Sequence, residues 1–307
     1  MSQHVYHLTE LRLERPAIVT IGVFDGVHRG HQHLISHIVR EAHDAGHLAV
    51  VLTLFPHPDR VLRGQTGRYY LTPPEQKARL LHALGVDVVI THPFDDHVRH
   101  IRAADFVDLL REHLNMAGLW VTADFALGYQ REGDYTFLAA QGAAKGFRVQ
   151  QIDLLTDPDH RAISSSQIRA ALAKGDVESA ATSLGYPYRI EGEVISGDKR
   201  GRTIGFPTAN LKVWEEQVIP ANGVYACYAA LGTERHKAVT NIGVRPTFNG
   251  TELRIEAHLL DFDRDIYGHT LRLEFMARLR GEQRFDGIEA LIAQIRADAA
   301  QGRARLP

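Results

Sequence analysis

Residues 18–38 read Ile-Val-Thr-Ile-Gly-Val-Phe-Asp-Gly-Val-His-Arg-Gly-His-Gln-His-Leu-Ile-Ser-His-Ile. The run Ile18 to Phe24 has the length and β-branched content of a buried strand. It breaks at Asp25-Gly26, a turn pair, and a helical spacing of Leu34, Ile35, Ile38, Val39 and Ala42 follows, with Gly46 as its stop. Two histidines and two glycines thus lie between the end of a strand and the start of a helix. In an α/β sheet that place binds phosphates, because the first helical N–H groups are unpaired and the helix dipole favours an anion.

His28 and His31 stand three apart, so a helix starting there turns both imidazoles to one side, and Gly30 between them lets a ligand approach the backbone. Two oriented N–H donors suit the α-phosphate of a nucleotide as charge builds on it and pyrophosphate leaves. Other readings of the stretch stand beside this one. The histidines cap the helix on a solvated face, in a chain holding eighteen of them. Zinc needs a third protein ligand, and no Cys or carboxylate stands at motif spacing. A dinucleotide loop needs Gly-x-Gly-x-x-Gly, which is absent.

The stretch Gly22-Val-Phe-Asp-Gly-Val-His-Arg-Gly-His31 resembles the opening motif of the bacterial bifunctional riboflavin kinase/FMN adenylyltransferase family, also called FAD synthetases. Its His-x-Gly-His core is shared with the wider nucleotidyltransferase superfamily. The resemblance implies catalytic roles for His28 and His31 and ligand-binding roles for Gly22, Phe24, Asp25 and Gly30.

At 307 residues the chain has room for about two domains, each with its own core. A formal charge of −2 argues against coating nucleic acid or an anionic membrane. The single cysteine, Cys227, excludes a disulfide within the chain and fits a reducing cytoplasm. Met1 to Arg15 is too polar for a signal peptide, and Leu48 to Phe55, the longest apolar run, is too short to span a bilayer.

Leu48 to Phe55 reads as a second buried strand, stopped by Pro56-His57-Pro58. His57 alone is a loop residue; the resemblance makes it part of a Pro-His-Pro ligand loop. Thr72-Pro-Pro-Glu75 has the form of a capping box, opening a helix that runs to Gly85. Strands at Val86–Thr91, Leu119–Thr122 and Phe147–Ile152 alternate with helices at Ala104–Leu114 and before Gly146. The pattern predicts an α/β domain with a parallel, Rossmann-like sheet of about five strands and helices on both faces.

Two further loops carry chemistry. Asp124-Phe-Ala-Leu-Gly-Tyr-Gln-Arg-Glu-Gly133 follows a strand and alone reads as a surface loop. The family has a flavin- and nucleotide-contacting segment here, which implies binding by Asp124, Phe125 and Arg131. The chain departs from it with Thr122, Ala126, Leu127 and Tyr129, where the family usually has Gly, Arg, Phe and Lys. In Ile163-Ser-Ser-Ser-Gln-Ile-Arg169, capping explains one serine but not three followed by a guanidinium. Ser164, Ser165, Ser166 and Arg169 suit the β- and γ-phosphates, and the stretch matches the family's Ile-Ser-Ser-x-x-Ile-Arg motif.

Past Gly185 the periodicity changes to short alternating runs: Arg189–Ile195, Gly223–Ala230, Lys237–Ile242, Arg254–Leu260 and Thr270–Arg278, then one helix from Gly287 to Ala299. This predicts a small antiparallel β-barrel with a terminal helix, and domains of 1–185 and 186–307. Gly197-Asp-Lys-Arg-Gly-Arg-Thr-Ile-Gly-Phe-Pro-Thr-Ala-Asn210 reads singly as a basic hairpin turn or as a phosphate cradle. Thr208 and Asn210 add neutral oxygens of the kind that magnesium on a nucleotide prefers. The stretch resembles the riboflavin kinase motif along its length, which assigns nucleotide binding to Gly197, Lys199, Gly201, Arg202, Thr203 and Pro207.

Glu256 is a lone carboxylate on a strand, ordinarily a solvated face; its position matches the family's catalytic glutamate, which accepts the proton of the ribityl 5′-hydroxyl. Asn241 to Phe248 matches a family loop near the flavin, with Arg245 and Phe248 flanking the ring, though a plain turn predicts the same residues. The expected protein is a cytoplasmic enzyme that makes FMN from riboflavin and ATP with Mg²⁺, then FAD and pyrophosphate from FMN and ATP. A riboflavin kinase alone and a non-catalytic flavin-binding module are the alternatives. No nucleic acid or membrane partner is expected.

Overall fold

The computed structural model describes residues 2–153, 155, 163–197, 201, 204–247 and 250–306, without the side chains of 246–251. Packing divides it into two units. The first comprises Met1–Thr66 and Thr72–Ser164. Its strands are β1 (Gln3–Val5), β2 (Ala17–Gly22), β3 (Leu48–Phe55), β4 (Val88–Pro93), β5 (Met116–Val121) and β6 (Arg148–Gln151). They form a six-stranded sheet in the order β1-β4-β3-β2-β5-β6, every pair parallel. The sixth strand beyond the expected five is β1, whose three residues are too few to show a period. β2 to β5 read as near-continuous apolar runs because both faces are covered.

One face carries α1 (Arg29–Asp44) and α3 (Pro74–Ala83), which bury Leu34, Ile35, Ile38, Ala78 and Leu81 against Ile18, Val51 and Trp120. The other carries α4 (Ala103–Leu114) and α5 (Tyr135–Lys145), with Val107, Leu110 and Leu138 against Val19, Leu52 and Ile90. Gly118 admits the indole of Trp120 two residues on, since a Cβ there would overlap the ring. The chain runs outward from β2 through β3 to β4, then returns to place β5 on the other side of β2. That reversal is the topological switch point, where the loops after neighbouring strands diverge and leave a crevice. The short α2 (Pro58–Arg63) follows β3 and buries no side chain.

The second unit comprises Gly67–Leu71 and Ser165–Pro307. It holds α6 (Ser165–Lys174), α7 (Val177–Leu184), β7 (Tyr188–Ile195), β8 (Ala209–Val213), β9 (Gly223–Leu231), β10 (Glu234–Thr247), β11 (Gly250–Leu259), β12 (Thr270–Arg280) and α8 (Ile288–Arg305). The six strands close a barrel in the order β10-β11-β8-β7-β12-β9, every pair antiparallel. β8 is a strand that sequence reading folds into the preceding turn, because five residues ending a Gly-rich segment show little alternation. α8 is tied to the barrel by Asp298, which accepts from Arg280 Nε and Nη2 at 2.9 and 2.7 Å.

The change from helices to strands falls at Gly185, which closes α7 with φ of 80°. Packing divides the chain earlier, at Ser165, because Ile168, Leu172, Val177, Ala180 and Leu184 are buried with the barrel residues Tyr188, Tyr225 and Phe275. The segment 67–71 joins them: Tyr70 stacks on Trp214 at 5.1 Å, and Tyr188 Oη and Gln217 Nε2 donate to the Leu71 carbonyl at 3.1 and 3.2 Å. Among the described residues no helix is long and apolar enough to cross a membrane.

Removing α6 and α7 exposes that apolar layer. A fragment of residues 165–307 is therefore expected to melt roughly 10 °C or more above one of residues 186–307. Circular dichroism melts of the two fragments check this, and equal midpoints would count against a shared core.

Candidate active sites

In the first unit, β2 enters α1 through a turn with unusual backbone. Phe24, Gly26 and Val27 take φ of 50°, 78° and 38°, and two of these carry side chains that disfavour the left-handed region. The turn is fastened from a distance. Thr72 N donates to Asp25 Oδ1 at 3.2 Å, and Gly26 N donates to Thr72 Oγ1 at 3.2 Å. Thr72 is therefore not the capping residue its sequence context suggests. The N-cap of α3 is Pro73, without a side-chain hydrogen bond, and the Thr72 hydroxyl serves the turn instead.

His28 is the N-cap of α1, its Nδ1 accepting from His31 N at 3.4 Å. Its ring stacks on that of His31 at 3.6 Å with planes 20° apart, and Phe24 meets His31 edge-on at 5.2 Å. Gly30 makes room for this stack, since a Cβ would lie 3.2 Å from the His28 ring; Gly22 likewise clears the Phe24 ring, 2.9 Å from where its Cβ would stand. These two glycines accommodate the protein's own rings, a nearer reason than ligand approach. His28 is buried, and desolvation lowers its pKa to about 4. His31 is shifted well below its usual value by desolvation, then by its neighbours His28 and Lys77. Both rings are thus neutral at pH 7. Because His28 Nδ1 accepts a hydrogen bond, its proton sits on Nε2, making it a donor.

The other expected residues of this unit follow strands adjacent to β2. His57, after β3, is the N-cap of α2, and its Nδ1 accepts from Asp59 N at 3.0 Å. Asp124, Phe125 and Arg131 follow β5, across the switch point from His28. Arg131 Nη2 donates to the Asp124 carbonyl at 2.6 Å, Thr122 Oγ1 donates to Asp124 Oδ1 at 2.7 Å, and Phe125 packs into the core. Gly128, with φ of 80°, presses on the first residue of α4: a Cβ would lie 2.6 Å from Ala103 N. The histidine, Pro-His-Pro and Asp124 loops thus come from three neighbouring strands. Ser164 ends this unit, and the preceding Ile163 carbonyl lies 3.6 Å from the Gly30 Cβ position.

Ser165, Ser166 and Arg169 open α6 of the second unit. There Arg169 Nε donates to the Tyr69 carbonyl at 2.7 Å, and its guanidinium lies 4.2 Å from the centre of the Tyr69 ring.

In the barrel, register assembles the candidate site. Glu256 on β11 is paired with Asn241 on β10 and with Asn210 on β8. Directly opposed residues share a face, so the three side chains form a row on the face opposite to the buried Ile255 and Ala257. Arg254 Nη1 lies 3.8 Å from Glu256 Oε1. Arg245, further along β10, is exposed. Pro207 and Thr208 precede β8; the Pro207 carbonyl lies 2.8 Å from His258 Nδ1. A cavity of about 340 Å³ opens beside them on the side of Ala209, Ala257 and Leu259, away from the Glu256 row, and is also lined by Phe262, Asp263, Asp265 and Tyr267. The last four come from the acid-rich turn Asp261-Phe-Asp-Arg-Asp-Ile-Tyr-Gly268, which sequence reading did not single out. Lys199, Arg202, Thr203 and Phe248 lie outside the described residues.

The donor set fits a cation carried by a nucleotide. A Cβ on Gly197 would overlap the Asn210 amide, so a glycine there leaves that side chain its room; at Gly201 the close neighbour of a Cβ would be the Phe206 carbonyl. No cluster of three His, Cys, Asp or Glu side chains able to hold a metal occurs among the described residues.

The FAD synthetase family model matches residues 11–167, and the riboflavin kinase family model matches residues 184–306. The bifunctional riboflavin kinase/FMN adenylyltransferase of Listeria monocytogenes is 39% identical, covering 94% of this chain and 91% of its own. The protein of the same name from Bacillus subtilis is 37% identical over 96% and 95%. A crystal structure described as a macrolide-efflux protein from Streptococcus pneumoniae superposes with a TM-score of 0.87 at 28% identity, over 99% of each chain. The chain belongs to the bifunctional riboflavin kinase/FMN adenylyltransferase family.

Burial of neutral His28 has a consequence for acid stability. Between its folded value of about 4 and the usual 6.5, the unfolded chain binds the proton that the fold refuses. The associated stability is complete above pH 6.5 and is lost as pH falls through about 4, up to about 3 kcal/mol. His28→Gln is expected to flatten that part of the profile, read by urea unfolding at pH 7 and pH 4.5. Separately, Gly128→Ala is expected to cost about 1–3 kcal/mol from backbone strain and overlap with Ala103; the same unfolding curves at pH 7 measure it.

Proposed function

We propose that the two units catalyse successive steps of flavin cofactor synthesis. The kinase unit transfers the γ-phosphoryl group of ATP to the 5′-hydroxyl of riboflavin, giving FMN and ADP. The α/β unit joins the AMP portion of a second ATP to FMN, giving FAD and pyrophosphate. The observation that carries this reading is that two different family models each match one unit, and each match includes one of the two constellations above. We assign the catalytic division to residues 1–185 and 186–307.

The two chemistries make different demands. In the adenylyl transfer the nucleophile is a phosphate oxygen of FMN, already anionic, so no general base is needed. What is needed is stabilisation of charge on the α-phosphate. Neutral imidazole donors at a helix N-terminus meet that demand, and His28 is held neutral by burial. In the kinase reaction the nucleophile is a hydroxyl that must lose its proton. Glu256 is a carboxylate suited to accept it, with Asn210 and Asn241 on its two flanks. Kinases and nucleotidyltransferases that use ATP generally employ a divalent cation, here proposed to be Mg²⁺. Thr208 and Asn210 would hold it, and when bound it offsets phosphate charge. We place the enzyme in the cytoplasm with small-molecule substrates, in keeping with its single buried cysteine.

Incubation of the full chain with riboflavin, ATP and Mg²⁺, followed by chromatography, is expected to give FMN and FAD. Replacing His28 and His31 together by Ala should abolish FAD while FMN persists; loss of one such donor costs about 2.7–4 kcal/mol of transition-state stabilisation. Glu256→Gln should lower kcat for FMN formation roughly 10²–10⁴-fold and leave FAD formation from supplied FMN intact. Unchanged FAD formation in the double variant would reduce the histidines to capping residues, and near-normal turnover in Glu256→Gln would remove the carboxylate from the mechanism.

A further inference from the structure

Lys77 is a cation on the wrong side of its helix. It lies on the inward face of α3 beside Ala78 and Leu81 and is 3% exposed. Its Nζ donates to the Val23 carbonyl at 2.9 Å and to Thr53 Oγ1 at 2.8 Å; the Thr53 hydroxyl in turn donates to the Val23 carbonyl at 2.8 Å. A buried ammonium costs several kcal/mol unless it is paired, and an apolar side chain would hold α3 on the sheet without that cost. What the ammonium adds is a grip on one atom. Val23 is the last residue before the left-handed turn at Phe24, Gly26 and Val27, and His28 follows at once.

A turn with positive φ at Phe24 and Val27 persists only where its surroundings over-determine it. Asp25 and Gly26 are held by Thr72, and the Val27 carbonyl accepts from Gln32 Nε2 at 2.8 Å. Lys77 supplies the fastening at the entry, joining the ends of β2 and β3. We propose that Lys77 is a positioning residue for adenylyl transfer: through Val23 and Thr53 it holds the turn that sets where His28 and His31 stand. The inference rests on assigning that histidine pair to FMN adenylylation.

The charged and titratable groups facing Lys77 are Asp25 from the turn, His31 from α1 and His4 from β1. Desolvation lowers its pKa to about 8, opposed by Asp25. As pH rises through that value the amine loses its attraction to Asp25, and its bonds to the Val23 carbonyl and Thr53 Oγ1 weaken from charge-assisted to neutral, so the turn loosens. Fold stability moves the other way: between 8 and the usual 10.5 the unfolded chain binds more protons, so stability rises with pH. A loss of FAD formation in alkali while the fold strengthens is a signature that a purely structural role does not produce.

The test uses the full chain with FMN, ATP and Mg²⁺, alongside FMN formation from riboflavin. Lys77→Met keeps length and removes charge and donors. It should lower kcat for FAD formation roughly 10–100-fold, with KM values little changed and FMN formation intact. The wild-type kcat for FAD formation should fall above about pH 8, and that fall should be absent from Lys77→Met. Thr53→Val, which keeps the ammonium, should lower kcat less. A folded Lys77→Met with normal kcat, a loss confined to KM, or an alkaline fall identical to the wild type would overturn the proposal. If Lys77→Met does not fold, the wild-type pH profile and Thr53→Val decide, and a flat profile with a normal Thr53→Val overturns it. A wild-type chain that makes FMN but no FAD would instead overturn the assignment of the α/β unit, and this proposal with it.

Discussion

Two imidazoles stacked at 3.6 Å cannot both carry charge, and burial keeps both neutral; much of the α/β unit serves that arrangement. Burial removes the proton from each ring; the N-cap bond from His31 N fixes which nitrogen of His28 accepts. Gly30 gives the His28 ring its space, and Phe24 closes the stack edge-on from a backbone conformation that phenylalanine seldom takes. The strain in that turn is offset by bonds from Thr72, Gln32 and Lys77, residues of α1, of α3 and of the segment before it. The result is a pair of neutral donors where α1 begins, beside the switch point of a parallel sheet.

The barrel solves a different problem by a different device. In the proposed reaction the nucleophile is a hydroxyl and Glu256 the carboxylate that would accept its proton; antiparallel register sets that carboxylate between two amides. A shift of one residue in β11 would carry Glu256 to the opposite face and put Ile255 or Ala257 in the row. The closed barrel leaves no strand free to slip in this way. Position in the α/β unit is set by loops fastened to distant residues, whereas in the barrel it is set by strand pairing itself.

Much of this was legible from the sequence by itself. The apolar runs of β2 to β5 and the period of α1 and α4 are local, so the parallel α/β unit, the switch to strands at Gly185 and the terminal helix could be read directly. The spacing of His28, Gly30 and His31 pointed to a helix N-terminus, because capping is decided within a few residues. What only the tertiary structure decided involves partners far apart in the chain. Thr72 abandons a cap for a turn 46 residues upstream, and Lys77 reaches a carbonyl 54 residues upstream. α6 and α7 join the barrel's core, and Asn210 meets Glu256 through the register of a strand too short to announce itself. Periodicity and capping record how a segment meets its immediate neighbours; they carry no information on which distant oxygen or strand a side chain will face, and that was decided by packing.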